Sequence, residues 1–327
     1  MSFNVMQVGV GAMGRNWLSA IESLPGVEMV GLVDVNKDRL KEQAKKNSLG
    51  EEICFTSIDN ALAAVRCDAI INVTPPRFHK EIDLKAFQKG ISVLSEKPLS
   101  DNYDDAVRIV EAAKRNKCIF MVSQNYRFKR QARTIRKLIE QGHYGRPEAV
   151  IINFFKGHPF TGFRTKMPYP LIVDMAIHHF DMIRYFLDLN PSSIFGKSWN
   201  PSWSWYEGDA ACSLIIEMEK GVVVSYCASF ASKRQETSWN ADWRIECPKG
   251  VIIFRNDRIY VGSNSQKLEE ICPVEMDWEG QGFALLELMN CAKEGRLPET
   301  NGRDNLISLR MVFKSIESFE TGKKVYF

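Results

Sequence analysis

The sequence predicts an α/β protein of two domains. A chain of 327 residues is about as long as two average domains and can bury a full core. Up to about residue 124, short apolar runs alternate with helical stretches, which indicates right-handed crossovers and a doubly wound, mostly parallel sheet. From residue 125 onward, strand-like runs follow one another across turns, which favours antiparallel pairing. We therefore predict one domain over residues 1–124 and a second, α+β domain over residues 125–327.

The elements of the first domain alternate in type along the chain. Strands are predicted at Val5–Val10, Val27–Val33, Ala69–Val73, Ser92–Ser95 and Ile119–Ser123. Helices are predicted at Arg15–Ser23, Lys37–Lys46, Lys80–Lys89 and Asp101–Asn116. Helices thus connect successive strands, as a parallel sheet requires.

The second domain is predicted to consist mainly of strands. These are expected at Glu148–Phe155, Ala211–Glu217, Val222–Ser229, Trp243–Cys247, Val251–Phe254 and Arg258–Val261. Helices are expected at Ala132–Gln141, Gly282–Lys293 and Leu306–Thr321. The step Glu219-Lys220-Gly221 between two of the strands is typical of a hairpin turn.

The composition is that of an ordinary globular protein. Hydrophobic residues make up 45% and charged residues 25%, which excludes a disordered chain, and the small net charge of +3 does not favour a nucleic-acid or membrane partner. No uncharged apolar run reaches the ~18 residues of a membrane span, and no signal peptide is recognised. The eight cysteines are scattered without a C-x-x-C pair, which favours a reduced, cytoplasmic protein.

A glycine-rich segment follows the first predicted strand. It reads Gly9-Val10-Gly11-Ala12-Met13-Gly14. Between a strand and a helix, this G-x-G-x-x-G pattern is the Rossmann dinucleotide fingerprint. Gly9 permits the tight turn, Gly11 admits the pyrophosphate, and Gly14 lets the helix pack on the strand. The segment therefore predicts a dinucleotide site at the helix N-terminus, with a ligand-free turn as the alternative.

Asp34 is expected to select the dinucleotide. It ends the second predicted strand, twenty positions after Gly14, where a carboxylate accepts hydrogen bonds from the adenosine ribose. The same carboxylate would repel a 2′-phosphate, so we expect NAD rather than NADP. Lys37 and Arg39 lie nearby and could pair with a phosphate, which keeps NADP open.

Two further segments are expected at the carboxyl edge of the same sheet, where open α/β folds bind ligands. The first contains Thr74, Pro75 and His79, and the second is Glu96-Lys97-Pro98. Each follows a predicted strand. The alternatives are a rigid turn for the first segment and a surface lysine at Lys97.

Residues 171–187 are apolar nearly all round, which predicts a buried helix. Within them, Asp174, His178 and Asp181 are spaced i, i+4 and i+7, on one helical face. Burying these groups costs several kcal/mol unless they are paired or meet a polar ligand. The helix therefore predicts a site, with a satisfied core network or a water-lined groove as the alternative. His179 is interpreted as structural or peripheral. No metal is expected, because no second cluster supplies ligands.

Together these segments resemble the glucose–fructose oxidoreductase / inositol dehydrogenase family, often written Gfo/Idh/MocA. The resemblance covers essentially the whole chain. It rests on the glycine segment, Thr74-Pro75-Pro76 with His79, Glu96-Lys97-Pro98, Asn125-Tyr126-Arg127-Phe128, and Asp174-x-x-x-His178. It implies an N-terminal Rossmann domain and a C-terminal domain on a large, open, mostly antiparallel sheet. In such proteins this sheet commonly carries the subunit contacts, so a homodimer or homotetramer is implied.

The resemblance also implies which residues act. Lys97, Asp174 and His178 would be catalytic, and Asp181 would lie near the substrate. The residues expected to bind the cofactor are Gly9, Gly11, Ala12, Met13, Gly14, Asp34, Thr74, Pro75, His79, Glu96 and Lys97. A cis peptide is expected at Lys97-Pro98. Residues 167–170 depart from the glycine run of many members, so the substrates of better-known relatives do not transfer to this chain.

The activity implied is NAD(P)-dependent oxidation of a secondary hydroxyl of a sugar, cyclitol or related polyol. His178 would take the hydroxyl proton as hydride leaves the same carbon, and Asp174 would orient His178 and bind a neighbouring hydroxyl. Lys97 would polarise the oxygen or relay the proton, and its role and that of His178 are interchangeable in this hypothesis.

Three further points stay open. Trp199, Trp203 and Trp205 stack on a sugar, form a subunit interface or belong to a folded loop. Arg164 either contacts substrate or cofactor or is a surface charge. The alternative functions are a redox-neutral enzyme that uses NAD to cleave a glycosidic or related bond, and a non-catalytic NAD-binding sensor or co-regulator.

Overall fold

The computed structural model describes residues 2–263 and 267–327. Contacts divide the chain into two compact units: Met1–Phe128 with Trp278–Leu306, and Lys129–Asp277 with Ile307–Phe327. The segment Trp278–Leu306 thus folds with the first unit, whereas the sequence analysis placed it in the second domain. Met1 and residues 264–266, which the predicted domains include, lie outside the described residues.

Six parallel strands form the sheet of the first unit. They are β1 (Phe3–Val8), β2 (Val27–Val33), β3 (Cys54–Phe55), β4 (Ala69–Asn72), β5 (Ser92–Ser95) and β6 (Phe120–Val122). Their order in space is β3-β2-β1-β4-β5-β6, and every neighbouring pair is parallel. The predicted doubly wound parallel sheet is confirmed, and its strand order changes direction between β1 and β4.

Five helices connect these strands. They are α1 (Ala12–Ser23), α2 (Lys37–Lys46), α3 (Ile58–Ala64), α4 (His79–Gln88) and α5 (Tyr103–Arg115). Asn36, Ser57 and Asn102 cap three of them by accepting a hydrogen bond from a first-turn backbone N–H. Sequence analysis missed β3 and α3, because strands and helices of two and seven residues are too short to show a period.

The segment Trp278–Leu306 joins the first unit through α8 (Gly280–Glu294). Leu285 and Leu288 are fully buried in a core cluster that also contains Trp17 of α1. Burying apolar surface stabilises the fold by roughly 25 cal/mol per Å², so these contacts favour the association strongly. The helical pattern predicts that α8 has a buried face, but it does not reveal which sheet that face covers.

Nine strands form the mixed sheet of the second unit. They are β7 (Ala149–Phe155), β8 (Pro191–Trp199), β9 (Ala211–Met218), β10 (Val223–Ser229), β11 (Asp242–Cys247), β12 (Gly250–Arg255), β13 (Arg258–Gly262), β14 (Glu269–Ile271) and β15 (Val325–Tyr326). The order is β14-β13-β12-β11-β7-β10-β9-β8-β15. Only the β7–β10 pair is parallel among these described strands, which confirms a large, mostly antiparallel sheet. Sequence analysis missed β8, β14 and β15.

Three more helices complete the described fold. They are α6 (Arg130–Gln141), α7 (Ile177–Leu187) and α9 (Gly302–Thr321). A π-helical stretch, Ile172–Ala176, runs directly into α7, and α7 is buried on nearly all sides, as the apolar pattern predicted. No helix within residues 2–263 and 267–327 is long and apolar enough to cross a membrane.

Candidate functional site

Three glycines shape the turn between β1 and α1. Gly9 has a φ of +101°, and a Cβ added there would lie 2.8 Å from the carbonyl carbon of Val73. A Cβ at Gly14 would lie 2.6 Å from the Gly9 carbonyl oxygen, whereas one at Gly11 would meet no described atom within 4 Å. Gly9 and Gly14 therefore serve the fold of the turn. Gly11 keeps the backbone open to a ligand, as a pyrophosphate requires.

A buried glutamine holds this turn from behind. Gln7 Nε2 donates to the carbonyl oxygens of Gly9 (2.8 Å) and Gly14 (2.9 Å). Ala12 and Met13 begin α1, whose first turn contains no acidic side chain and no side-chain cap. The N-terminal N–H groups of α1 therefore suit an anion. Sequence reasoning missed Gln7, although a polar amide inside an apolar strand is a signal that could have revealed it.

Asp34 directly follows β2 and lies beside the same turn. Its Oδ2 accepts a hydrogen bond from the Val10 backbone N–H (2.9 Å), and its Oδ1 accepts one from the Asn36 backbone N–H (2.8 Å). Each carboxylate oxygen has a further lone pair that a ribose hydroxyl could use. Arg39 Nη1 lies 4.0 Å from Asp34 Oδ2, so a cation also stands beside this carboxylate.

Side chains from α4 hold the segment that follows β4. Thr74 donates to Asn72 Oδ1 through its Oγ1 (2.7 Å) and its backbone N–H (3.2 Å). His79 is fully buried, with Nε2 2.8 Å from the Thr74 carbonyl oxygen and Nδ1 3.1 Å from that of Leu99. Burial lowers the pKa of His79. These contacts determine the shape of the segment that includes Pro75, and its contact with a cofactor stays a prediction.

A buried carboxyl stands behind this segment. Asp83 of α4 accepts a hydrogen bond from Asn72 Nδ2 at 2.8 Å and is completely buried. Burial raises the pKa of Asp83 to about 7, although hydrogen bonds from Asn72 and Ser95 act in the opposite direction. The Asp83 carboxyl therefore titrates near neutral pH. It is hydrogen-bonded to Asn72, which in turn holds Thr74.

Lys97 follows β5 and is half-buried, and its peptide bond to Pro98 is cis, as the resemblance implied. The neighbouring Glu96 is buried: its Oε1 accepts from Trp17 Nε1 at 2.7 Å and its Oε2 from the Lys97 backbone N–H at 3.1 Å. Burial raises the pKa of Glu96, which the Lys97 charge and these hydrogen bonds partly offset. Glu96 thus ties the Lys97 segment to α1. Sequence reasoning missed Trp17, because 79 positions separate it from Glu96.

In the second unit, Asp174 lies in the π-helical stretch and His178 in the first turn of α7. The spacing argument assumed a regular α-helix, but a π turn is wider and recurs at functional sites. Arg164 holds the Asp174 carboxylate, with Nε–Oδ2 at 2.8 Å and Nη2–Oδ1 at 3.4 Å. The Asp174 side chain is 14% exposed, so this ion pair is largely shielded from water.

Aromatic rings surround this ion pair. The Arg164 Cζ lies 5.4 Å from the ring centroid of Phe160 and 4.8 Å from that of Phe163. Burial, with a smaller contribution from the Asp174 carboxylate, raises the pKa of Tyr206 to about 12. Arg164 is thus a partly buried charge paired with Asp174, and its contact with substrate or cofactor stays a prediction.

Two other polar residues of α7 make contacts within the second unit. Asp181 is buried and its Oδ1 accepts from Ser308 Oγ at 2.9 Å, while Ser308 Oγ also accepts from Arg184 Nη1 at 3.0 Å. His179 is fully buried, with Nδ1 2.9 Å from the Tyr226 hydroxyl, and burial lowers the pKa of His179 to about 3. Both residues therefore contribute to the packing of α7, as expected for His179.

The tryptophan cluster lies on the surface of the second unit. Trp199, Trp203 and Trp205 are all exposed. Trp203 Nε1 donates to the Ala231 carbonyl oxygen at 2.8 Å, and Lys233 Nζ lies 5.2 Å from the Trp203 ring centroid. The exposure agrees with a sugar-stacking surface and with a subunit interface, and the hydrogen bond of Trp203 agrees with a folded loop, so all three interpretations stay open.

Two protein-family models match the chain. The model described as the oxidoreductase family with an NAD-binding Rossmann fold (GFO_IDH_MocA) matches residues 3–124. The model described as the GFO/IDH/MocA C-terminal domain matches residues 132–253. Together the two matches extend over well more than half of the sequence.

Individual proteins are similar over much of the chain. Inositol 2-dehydrogenase of Corynebacterium glutamicum (strain R) is 30% identical over 68% of this chain and 66% of its own length. The 1,5-anhydro-D-fructose reductase of Ensifer adhaerens is 24% identical over 97% of this chain and 96% of its own. The crystal structure of an oxidoreductase from Agrobacterium radiobacter, in complex with NAD+, L-tartaric acid and magnesium, has a TM-score of 0.92 at 18% identity. It covers 100% of this chain and 98% of its own, and at that identity it shows the likeness of fold alone.

Proposed function

Because the chain belongs to the Gfo/Idh/MocA family of NAD-binding oxidoreductases, we propose that it is a dehydrogenase that oxidises a secondary hydroxyl of a sugar, cyclitol or related polyol. The observation that carries the proposal is the glycine turn, where Gly11 leaves the backbone open and Asp34 lies alongside. Relatives named for inositol and anhydrofructose support the substrate class.

We propose NAD as the cofactor. The residues that would hold it are Gly9, Gly11, Ala12, Met13, Gly14, Asp34, Thr74, Pro75, His79, Glu96 and Lys97. When bound, NAD supplies the hydride acceptor. The Asp34 carboxylate favours NAD over NADP, because it would repel a 2′-phosphate. Arg39 supplies the charge that NADP would need, so kcat/KM measured with both cofactors tests this preference.

In the proposed chemistry, His178 takes the proton of the substrate hydroxyl, because an imidazole titrates near neutral pH. Asp174, held by Arg164, accepts a hydrogen bond from a neighbouring hydroxyl. Lys97 donates to the oxygen whose charge develops, and stabilises it. Asp181 is proposed to lie near the substrate. His178 and Lys97 remain interchangeable as the proton acceptor.

A homo-oligomer formed through the nine-stranded sheet is part of the proposal. Phe195, Ile215, Ser225 and Ile151 lie directly opposite one another across β8, β9, β10 and β7, so their side chains share one face of the sheet. Phe195, Ile215 and Ile151 are exposed, and an apolar row on a sheet face is typical of an interface. Such a row suits a second copy of the same surface in a two-fold dimer.

Light scattering tests the oligomer. The wild-type chain and the control K41E, on the exposed side of α2, should have the mass of a dimer or tetramer. I215E should have the mass of a monomer, because a buried unpaired carboxylate is costly. A monomeric wild-type protein would contradict the proposal.

A cytoplasmic location is also proposed, in keeping with the eight free thiols, and cell fractionation tests it.

The activity is tested by a panel assay at 340 nm. Purified protein is mixed with NAD or NADP and a library of monosaccharides, inositols, anhydrosugars and sugar acids. We expect reduced NAD to appear with one or a few members. If no reduced cofactor forms with any panel member while calorimetry still shows NAD binding, the result would contradict a dehydrogenase. It would favour the redox-neutral enzyme or the sensor.

A further inference from the structure

The guanidinium of Arg164 uses only one of its two edges. Nε and Nη2 face the Asp174 carboxylate. Nη1 has no hydrogen-bond acceptor among the residues that the structure describes, which leaves the edge formed by Nη1 and Nη2 open. A planar guanidinium has five N–H donors and can bind a carboxylate on each edge through two parallel hydrogen bonds.

The surroundings of Arg164 keep this edge in place. Its side chain is 28% exposed, so it is neither sealed in the core nor freely mobile in solvent. The Asp174 carboxylate holds one edge, and the rings of Phe160 and Phe163 lie against the guanidinium. Less conformational entropy is therefore lost when a ligand binds than would be lost at an unrestrained arginine.

We infer that the open edge of Arg164 binds the carboxylate of an acidic substrate, so that the substrate class is a sugar acid, aldonic or uronic, rather than a neutral polyol. The inference rests on the proposed function, because it assumes that Asp174 contacts the substrate. A hydroxymethyl group in place of the carboxylate offers one oxygen and no charge to the same edge, and therefore uses it poorly.

The charge balance sets the size of the effect. A bidentate, charge-assisted pair improves affinity by about tenfold to a hundredfold. Asp174 already offsets part of the guanidinium charge and repels a second carboxylate. The acid is therefore expected to bind about tenfold more tightly than its neutral analogue, at the low end of that range.

The test compares matched ligands and variants. The ligands are D-gluconate against D-glucitol, and D-galacturonate against D-galactose, each titrated into the full chain with NADH by calorimetry. The variants are R164M, R164K and the control R258M. Arg258 also forms a two-bond ion pair, with Glu270, beside an aromatic ring, that of Tyr260, but on β13. R258M therefore reports the loss of a two-bond ion pair of similar geometry, at a more exposed position away from Asp174.

We expect at least one acid to bind about tenfold more tightly than its analogue in the wild type and in R258M. R164M should lose this preference: both affinities are expected to fall because the Asp174 carboxylate loses its partner, but the affinity for the acid should fall about tenfold more than that for its neutral analogue. R164K keeps a charge beside Asp174, which protects the fold, but lacks the parallel N–H pair, so it should keep only part of the preference. Three results would overturn the inference: equal affinities of the wild type for an acid and its neutral analogue, equal losses of both affinities in R164M, or no binding of any acid.

The same titration separates the inference from the proposed function. Arg164-dependent binding of an acid without formation of NADH from any panel member would support the carboxylate site and contradict the dehydrogenase. Oxidation of neutral polyols alone, unaffected by R164M, would support the dehydrogenase and contradict the carboxylate site.

Discussion

In the first unit, the turn after β1 offers mainly backbone to a ligand, whereas in the second unit the segment before α7 offers charged side chains. At the turn, Gly11 leaves space and Gln7 holds the carbonyl oxygens. At the segment, Asp174 is held by Arg164. A site made of backbone depends on local conformation, while a site made of side chains depends on partners that the fold brings in.

This difference predicts where chemistry should be most sensitive to substitution. H178Q should lower kcat by about 100- to 10,000-fold, because the amide cannot take the proton that the proposed mechanism assigns to His178. Steady-state kinetics on the substrate found by the panel assay measures the change.

The adjacent histidine is the matched control. H179Q should weaken the packing around Tyr226 and lower the free energy of unfolding, without a comparable loss of kcat in the folded protein. Near wild-type turnover in H178Q would remove His178 from the mechanism, and equal losses in both variants would point to damage to α7 instead.

The glycine turn should separate folding from binding. G9A should lower the free energy of unfolding by about 3 kcal/mol, because Gly9 has a positive φ and an added Cβ would meet the Val73 backbone. G11A should leave this free energy within about 0.5 kcal/mol, because its Cβ meets open space. NAD affinity should nevertheless fall at least about tenfold in G11A, since the methyl group occupies the proposed approach of the pyrophosphate.

Urea unfolding and NAD calorimetry measure the two quantities. If G11A bound NAD as tightly as the wild type, the open backbone at Gly11 would not be the pyrophosphate site. If G9A were as stable as the wild type, the steric account of the turn would be wrong.

The same contrast explains what could be predicted from the sequence. The glycine spacing, the strand before it and Asp34 lie within one stretch of chain, so a local pattern revealed the parallel sheet and the turn. Trp17 and Glu96 are separated by 79 positions and Asp181 and Ser308 by 127, and no local period reveals such pairs. The sequence did not predict the π turn at Asp174 either, because an apolar pattern does not reveal one extra residue in a helical turn.

Substitution of Asp83 tests whether the proposed cofactor site of the first unit also depends on a buried side chain. Its folded pKa of about 7 lies above the unfolded value of about 4, so stability falls as pH rises from about 4 to about 7 and levels off above that range. In the wild type this group should remove roughly 2–3 kcal/mol of stability between pH 5 and pH 8. D83N should lose that part of the pH dependence, which urea unfolding at several pH values measures.

The binding consequence is measured in the same pH series. Ionisation of Asp83 adds a negative charge one hydrogen bond away from Asn72, which holds Thr74 at the proposed site of the anionic cofactor. NAD affinity in the wild type should therefore decline modestly above pH 7, and less in D83N. Identical pH profiles of stability in the two proteins would show that Asp83 does not titrate in this range.

Asp181 gives the smallest expected effect and tests the side-chain site at its buried end. D181N replaces a charge-assisted hydrogen bond from Ser308 by a neutral one and should cost about 1 kcal/mol of stability. S308A should cost a similar amount by removing the donor while leaving the Asp181 carboxyl in place. If Asp181 also contacts the substrate as proposed, KM should rise about fivefold in D181N and stay unchanged in S308A. An unchanged KM in both variants would limit Asp181 to packing, and the proposed substrate contacts of this helix would then reduce to Asp174 and His178.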